Sequence, residues 1–295
     1  MKNSDIRKDR SFSRGHSPKA ALATFQSICL LSFPVLAVNR CTTDRPEEPE
    51  SGDDIPAVRH SLRLRAEAGW DLARLDVFIY EDDGIPALDT LCTSFSGAPT
   101  TSLEAVLEVR EGTKRIYTVA NSPYDFNAAA IKNAEAVESL TYDFSDDRPE
   151  APISTGYALI DCQTDTTLTI RLQKIMCTIE IGHISNSLGD RILSPVIRLE
   201  DAARSAEAFR QTGFHPGEYI TDSVLLKERM TIGLEEINTA GTYVGKRLYC
   251  YPNESSSRPT RIVFEYGPPL YRRSKTATAG ALSRGESKLE TFEIP

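Results

Sequence analysis

Six cysteines are the residues of this sequence with the most obvious capacity for chemistry. No two of them form a Cys-x-x-Cys pair, so their spacing does not predict a zinc site. Four of them lie beyond residue 57, where two disulfides could form in an oxidising compartment. A buried free thiol is an equally good interpretation of Cys177, which falls on the inward phase of a predicted strand. These four cysteines are Cys92, Cys162, Cys177 and Cys250.

The other groups that could act as catalysts or ligands are isolated. Beyond residue 57, three histidines, His60, His183 and His215, are scattered without ligand spacing. Acidic pairs at 82–83 and 146–147 fall in turn-like segments, where calcium can bind but where carboxylates are usually solvated. The chain contains no HExxH, GxSxG, Walker or GxGxxG motif. We therefore expect no metal, no cofactor and no enzymatic activity.

Cys41 has the most informative position of the six cysteines. Before it stand a basic leader and an uncharged run from Ala20 to Asn39 with the apolar centre ICLLSFPVLAV. This pattern is typical of a secretory signal peptide; the alternative is a single transmembrane helix, which Pro34 argues against. A cysteine directly after such a run resembles a bacterial lipoprotein acylation site, although Arg40 departs from the small residues usual there. We expect residues 1–40 to be the signal peptide and Cys41 to carry acyl chains; a structural or free cysteine is the alternative.

Length and charge limit the remaining chain. Its 295 residues suit two domains of ordinary size, and a hydrophobic content of 40% is enough to build their cores. The net charge of −8 argues against nucleic acid as a partner, because phosphate binding requires a basic face. Residues 41–57 are rich in Pro, Glu, Asp, Gly and Ser, a composition typical of a flexible tether.

Beyond the tether, apolar residues mostly recur with the period of two that is typical of strands. Examples are SLRLRAE at 61–67 and LARLDVFIY at 72–80, and LEAVLEVREGTKRIYTVAN predicts two strands across a turn at Gly112. The segment 125–140 predicts the main amphipathic helix. Residues 243–266 predict a β-hairpin across a long polar turn. Many short strands separated by turns indicate a β-sandwich.

One strand-like run, TTLTIRLQKIMCTIEIGHI at 166–184, changes register in its middle. Leu168, Ile170 and Leu172 are apolar at even positions, whereas Ile175 and Ile179 are apolar at odd positions. A slip of one residue sends later side chains to the other face of a sheet. Periodicity alone allows either a β-bulge at Gln173–Lys174 or a passage from one sheet to another.

Four motifs in order resemble one known family. LARLDVFIYEDDG, EGTKRIYTVANSP, TTLTIRLQKIMCTIEI and YCYPNESSSRPTRIVFEY are similar to segments of the fimbrillin and fimbrial-anchor lipoproteins of Bacteroidales, the type V pilus family. The resemblance covers about residues 60–266. It implies an all-β chain with a minor helix, in which two tandem transthyretin-like Greek-key β-sandwiches follow the signal peptide and tether. The expected domains are 58–173 and 174–295, so the family favours a boundary at 173–174.

The family also implies assembly with other fimbrial subunits by strand addition, in which an extended segment of one subunit fills a groove in another. Shaft subunits lose their first strand after an arginine, and Arg59, Arg63 and Arg65 are the candidate cleavage sites here. The alternative for Arg63 and Arg65 is the solvent face of an alternating strand. Leu62 and Leu64 mark the expected groove.

The C-terminal segment, residues 268–295, is basic, rich in small residues and weakly alternating, and so predicts a poor donor strand. We expect an anchoring or accessory subunit, surface exposed and held in the outer membrane by acyl chains on Cys41. The alternatives are a shaft or tip subunit, or a surface lipoprotein that binds glycans or other ligands. The single tryptophan, Trp70, and the dispersed tyrosines argue against a sugar-stacking face.

Overall fold

The chain folds into a mainly β structure. In a computed structural model the described residues are 40–44, 57–82 and 86–295, with only the backbone described for 40–44 and for Pro269. Helix α1 (Ala134–Glu138) lies between the sixth and seventh strands. The strands up to residue 174 are β1 (Arg40–Asp44), β2 (Arg59–Glu67), β3 (Arg74–Glu81), β4 (Leu88–Phe95), β5 (Ser102–Arg110), β6 (Gly112–Ala120), β7 (Thr141–Asp143), β8 (Ser154–Cys162), β9 (Thr166–Arg171) and β10 (Gln173–Lys174).

Two sheets made from these strands pack as a sandwich. One has the order β1-β4-β3-β6-β8-β10 and the other the order β5-β2-β9. Neighbouring strands are antiparallel except β2 and β9, which run parallel. Fully buried side chains of both sheets, among them Leu62, Leu64, Val77 and Ile116, form one hydrophobic cluster between them.

Strand β3 shows how the six-stranded sheet is buried on both faces. Because successive side chains of a strand point to opposite faces, Val77 and Ile79 enter the cluster just described. Phe78 and Tyr80 belong instead to a second hydrophobic cluster, which extends into the strands that follow residue 174. Antiparallel sheets commonly keep one face in water. Here part of the second face packs against the rest of the chain.

The remainder of the chain contains further strands and a second helix, α2 (Ser223–Arg229). A short 3₁₀ helix spans Pro269–Tyr271. The strands are β11 (Cys177–Asn186), β12 (Ile192–Leu193), β13 (Val196–Glu200), β14 (Ser205–Glu207), β15 (Thr231–Gly233), β16 (Glu236–Ile237), β17 (Thr242–Cys250), β18 (Arg261–Tyr266), β19 (Arg273–Thr278) and β20 (Ser287–Ile294).

The second set of strands repeats the topology of the first. Strand β11 lies between β17 and β20, antiparallel to one and parallel to the other, as β2 lies between β5 and β9. The four-stranded sheet β15-β13-β18-β19 corresponds to β4-β3-β6-β8. In both halves consecutive strands cross between sheets, as in a Greek key. The predicted all-β fold with paired Greek-key sandwiches is confirmed.

The register change at 173–174 marks a change of sheet. Strand β9 pairs with β2, β10 pairs with β8, and β11 pairs with β17 and β20. Residues 166–184 are therefore three strands in three sheets rather than one strand with a bulge. Lys174 still pairs with Ser154 of the first sandwich. The exact domain boundary stays a prediction.

The predicted helix over 125–140 is wrong in length. Only five residues, Ala134–Glu138, are helical, because the Asn133 side chain caps them by accepting a hydrogen bond from the Ala136 amide. Upstream, Asn127 closes a separate turn by accepting from the Ala130 amide. Asparagine favours such caps and turns over helix interiors, since its side chain bonds the local backbone.

The predicted hairpin over 243–266 is also wrong. Strands β17 and β18 both form, but β17 pairs with β11 whereas β18 pairs with β13 and β19 in the other sheet. The intervening loop crosses between the sheets and is held by Asn253, whose buried amide donates to the Asp201 and Arg258 carbonyls. The long turn between β17 and β18 therefore connects two different sheets and does not join two paired strands.

Candidate functional site

Strand β2 contains the sequence-predicted cleavage and groove residues, and it is the central strand of its sheet. Leu62 lies opposite Leu107 of β5 and Thr166 of β9, and Leu64 lies opposite Ala105 and Leu168. Neighbouring strands are roughly 4.8 Å apart. Loss of β2 would therefore leave a gap about one strand wide between β5 and β9, lined on both sides by unpaired backbone groups.

The side chains of β2 alternate between core and solvent. Leu62, Leu64 and Ala66 are fully buried, whereas Arg63 and Arg65 are exposed. Arg65 makes an ion pair of 3.0 Å with Glu67 at the surface, where such pairs contribute little stability. The solvent-face interpretation of Arg63 and Arg65 is thus what the folded chain shows. The two leucines line the inner wall of the gap that β2 fills.

The three arginines are not equivalent as cleavage sites. A cut after Arg59 leaves all the buried residues of β2 in place, and a cut after Arg63 removes Leu62 but leaves Leu64. Only a cut after Arg65 removes both leucines. Because β2 is hydrogen-bonded on both sides, a protease reaches these bonds only after the strand opens.

A buried ion cluster fixes the start of β2, and sequence analysis missed it. The fully buried Asp89 carboxylate of β4 lies 3.6 Å from the Arg59 guanidinium, 3.9 Å from Arg110 and 3.7 Å from the Lys114 ammonium. It also accepts a 3.0 Å hydrogen bond from the Arg110 amide. Lys114 is only 1% exposed and also pairs with Glu81. A charged residue inside the apolar strand LDTLC was the signal that could have revealed it.

The cluster is costly to disrupt, because removing one partner leaves another charge buried without full compensation. Arg59 is therefore tied to the first sandwich by its side chain, unlike Arg63 and Arg65. Among the three candidate sites, Arg59 is the one whose side chain pairs with a buried carboxylate.

Strand β1 places the backbone of Cys41 beside the first sandwich. It pairs antiparallel with the edge of the six-stranded sheet at β4, with Cys41 opposite Ser94. Residues 1–39 and 45–56, which hold the predicted signal peptide and most of the tether, lie outside the described residues. Acylation of Cys41 stays a prediction. Among the described residues, no helix has the length and apolarity to cross a membrane.

The remaining cysteines are mostly buried thiols rather than the two disulfides considered from sequence. Cys162, Cys177 and Cys250 are free and buried. Cys177 and Cys250 lie opposite each other on β11 and β17, and burial raises the pKa of the Cys177 thiol to about 12. Cys92 is disulfide-bonded. The interpretation of Cys177 as a buried free thiol is confirmed.

The C-terminal strand is paired within its own chain. β20 runs parallel to β11, and Phe292 and Ile294 are buried in the shared hydrophobic cluster. A segment held in this way has to detach before it can act as a donor strand elsewhere. In the part of the chain that the structure describes, no group of three or more His, Cys, Asp or Glu side chains is placed to hold a metal ion.

Comparison with known proteins identifies the fold. No family model and no curated protein sequence matches the chain. Among solved structures, a candidate cell adhesion protein from Parabacteroides distasonis is 13% identical, with 79% of this chain and 88% of that chain aligned at a TM-score of 0.56.

Two fimbrial proteins from Porphyromonas gingivalis also share the fold. The C-terminally truncated tip fimbrial protein Mfa3 is 12% identical over 81% of this chain and 96% of that chain, with a TM-score of 0.54. A fimbrilin is 12% identical over 76% of this chain and 85% of that chain, with a TM-score of 0.50. The resemblance to fimbrillins seen in the sequence motifs is confirmed at the level of the fold.

Proposed function

We propose that this chain is a non-enzymatic, lipid-anchored fimbrial subunit, of the anchoring or accessory kind, that joins other subunits by strand addition. The observation that carries the proposal is the position of β2, central between two strands that do not pair with each other. An extended segment of another subunit could replace it, because main-chain hydrogen bonds on both sides supply affinity. The pockets of Leu62 and Leu64 would set the register.

The intramolecular pairing of β20 supports an anchoring role. Its buried Phe292 and Ile294 stabilise the second sandwich, so releasing β20 to serve a neighbour costs this chain part of its own core. A subunit that receives a strand while β20 stays paired with its own β11 can terminate a polymer. Acyl chains on Cys41 would hold that terminus in the outer membrane, since burial of methylene groups in lipid anchors a protein.

Mass spectrometry of the mature N-terminus, on protein purified from the outer membrane, tests the role. An acylated Cys41 supports an anchor. A start after Arg63 or Arg65 indicates shaft-like loss of β2, which is the second candidate and is favoured by the arginines on that strand.

Membrane fractionation tests the anchor itself. We expect Cys41→Ala to lose retention in the outer membrane after salt washing, whereas Thr42→Ala, changed at the next residue of β1, is retained. Retention of the Cys41→Ala variant would show that acylation of this residue is not what anchors the protein.

A further inference from the structure

A pocket of about 380 Å³ opens on the outer face of the six-stranded sheet and contains three aromatic rings. Tyr117 of β6 and Tyr157 of β8 lie directly opposite each other, with ring centroids 5.0 Å apart. Phe209, just after β14, packs edge-on against Tyr117 at 5.1 Å and 86°. The volume lies in the range of roughly 300–1,000 Å³ that small-molecule sites occupy.

The rings differ in exposure, and this difference defines a platform. Tyr117 is 2% exposed and its hydroxyl donates to the Glu138 carboxylate, so burial and this carboxylate raise the pKa of the phenol. Tyr157 is 51% exposed. A fixed inner ring thus supports an outer ring that remains open to solvent. Tyrosine loses little conformational entropy on contact and offers a large flat surface.

Polar side chains of three kinds surround the platform. The Glu207 carboxylate accepts a 2.7 Å hydrogen bond from the Arg210 guanidinium, which also donates to the Gly213 carbonyl at 2.9 Å. Gln211 completes this side of the pocket. Arg210 is therefore held in place before any ligand arrives. Preorganised groups of this kind reduce the entropy cost of binding.

The back of the pocket is rigid as well. Thr155 of β8 donates to the Ala208 carbonyl at 2.9 Å. The buried Arg284, 4% exposed, donates to the same carbonyl and to the Thr155 hydroxyl, and to the Gln173 carbonyl at 2.9 Å. These bonds tie β8, β10 and the segment of Phe209 together, so the pocket is built on fixed elements.

The charged side chains of the pocket already have partners within the protein. Glu207 is paired with Arg210, and Glu138 already accepts from Tyr117. The Glu138 and Glu207 carboxylates still have free lone pairs, and the Arg210 guanidinium and the Gln211 amide still have free N–H groups. A ligand that brings many hydroxyls can satisfy both kinds, because each hydroxyl donates and accepts.

We propose that this pocket binds a neutral saccharide unit. Its apolar ring face lies on Tyr157, and its hydroxyls bond Glu207, Arg210 and Gln211. The tyrosines are dispersed in the sequence, but the pairing of β6 with β8 brings two of them together. The site is independent of β2 and of Cys41, so it adds a contact with a glycan surface to the proposed fimbrial role.

A glycan array followed by calorimetry with the free sugar of each hit tests the proposal. The full chain is compared with Tyr157→Ala, Glu207→Gln and Tyr243→Ala. Tyr243 is a matched control, since it is 67% exposed and lies on β17 outside the pocket. We expect saturable binding that weakens about tenfold or more in Tyr157→Ala, also weakens in Glu207→Gln and stays unchanged in Tyr243→Ala.

Three outcomes would overturn the proposal. One is the absence of any bound neutral glycan, the second is equal binding by the wild type and Tyr157→Ala, and the third is capture of a basic peptide such as oligolysine in preference to sugars. Far-UV circular dichroism and urea unfolding of each variant distinguish loss of the site from loss of the fold. Incorporation into fimbriae is measured separately, so failure of one proposal leaves the other open to its own test.

Discussion

The sheets β5-β2-β9 and β17-β11-β20 have the same strand order and directions, yet their central strands are buried differently. β2 alternates between fully buried and exposed side chains, and its outer face carries Arg63 and Arg65. β11 is buried on most of its length, with only His183 exposed, and its pairing shifts register after Ile181. Both strands turn their apolar side chains to one face, but β11 contributes more of them to a core. They are Leu62, Leu64 and Ala66 in β2, and Cys177, Ile179, Ile181 and Ile184 in β11.

This difference indicates which central strand is more easily released from its sheet. Release of β2 exposes three buried apolar side chains, whereas release of β11 exposes four. Because apolar burial contributes about 25 cal/mol per Å², β11 is the more strongly held. Strand exchange is therefore expected in the first sandwich, at β2.

The largest expected effect comes from the ion cluster that fixes the start of β2. We expect Asp89→Asn to lower the free energy of unfolding by about 3–5 kcal/mol, because Lys114 and Arg59 lose the carboxylate that compensates them in a buried site. Urea denaturation measures the change. Asp125→Asn is the control, since this 96% exposed carboxylate also pairs with an arginine and should cost less than about 1 kcal/mol. Equal losses in the two variants would show that the cluster does not stabilise the first sandwich.

Two substitutions that truncate core side chains test whether β2 opens more easily than β11. Leu64→Ala in β2 and Ile179→Ala in β11 each remove buried methyl groups and should cost about 2–5 kcal/mol. We expect only Leu64→Ala to accelerate tryptic cleavage after Arg65 under native conditions, because it loosens β2 locally. Digestion followed by mass spectrometry measures the rates. The same acceleration in both variants would mean that β2 opens only by global unfolding.

Asp147 couples the two halves and should make their stability depend on pH. Its carboxylate accepts from the Ile153 amide at 2.8 Å, and Arg229 of α2 donates to its carbonyl. Burial raises its pKa from 3.8 to about 6. The native state therefore holds this proton more tightly than the unfolded state, and the contribution is full below pH 3.8 and is lost as pH rises through 6.

Asp147→Asn should remove that dependence. The free energy of unfolding of the variant, relative to wild type, is expected to rise by up to about 3 kcal/mol between pH 4 and pH 7.5. Urea denaturation at both pH values measures it. A difference that does not change with pH would show that Asp147 ionises at its ordinary pKa.

The smallest effect is expected at the exposed arginines. Arg63→Ala and Arg65→Ala should change the free energy of unfolding by no more than about 0.5 kcal/mol. Each should abolish tryptic release at its own position. Loss of maturation in cells in Arg65→Ala, but not in Arg63→Ala, would assign the processing site to the position that removes both groove leucines. Unchanged maturation in both variants would argue against processing on β2.

The strands themselves were largely predictable from the sequence. Alternation at Leu62, Leu64 and Ala66 predicted β2 and its inward face. The change of parity at Gln173–Lys174 located an irregularity but left open whether it was a bulge or a change of sheet. These features depend on the period of two, which is local. The length of α1 was not predictable from apolar spacing alone, since the cap at Asn133 decided where the helix begins.

Which strands pair with each other was decided only by tertiary structure. The sequence places β17 and β18 next to each other, yet the chain sends them to different sheets, because each half buries its apolar faces only by crossing between two layers. The ion cluster at Asp89 and the ring pair of Tyr117 and Tyr157 arise from the same pairing of distant strands. The sequence by itself determined which residues of the longer alternating strands face inward. Only the tertiary structure decided which strands are neighbours. Many strands could satisfy the hydrogen bonds along a given strand edge, and the burial of apolar faces determines which of them pair.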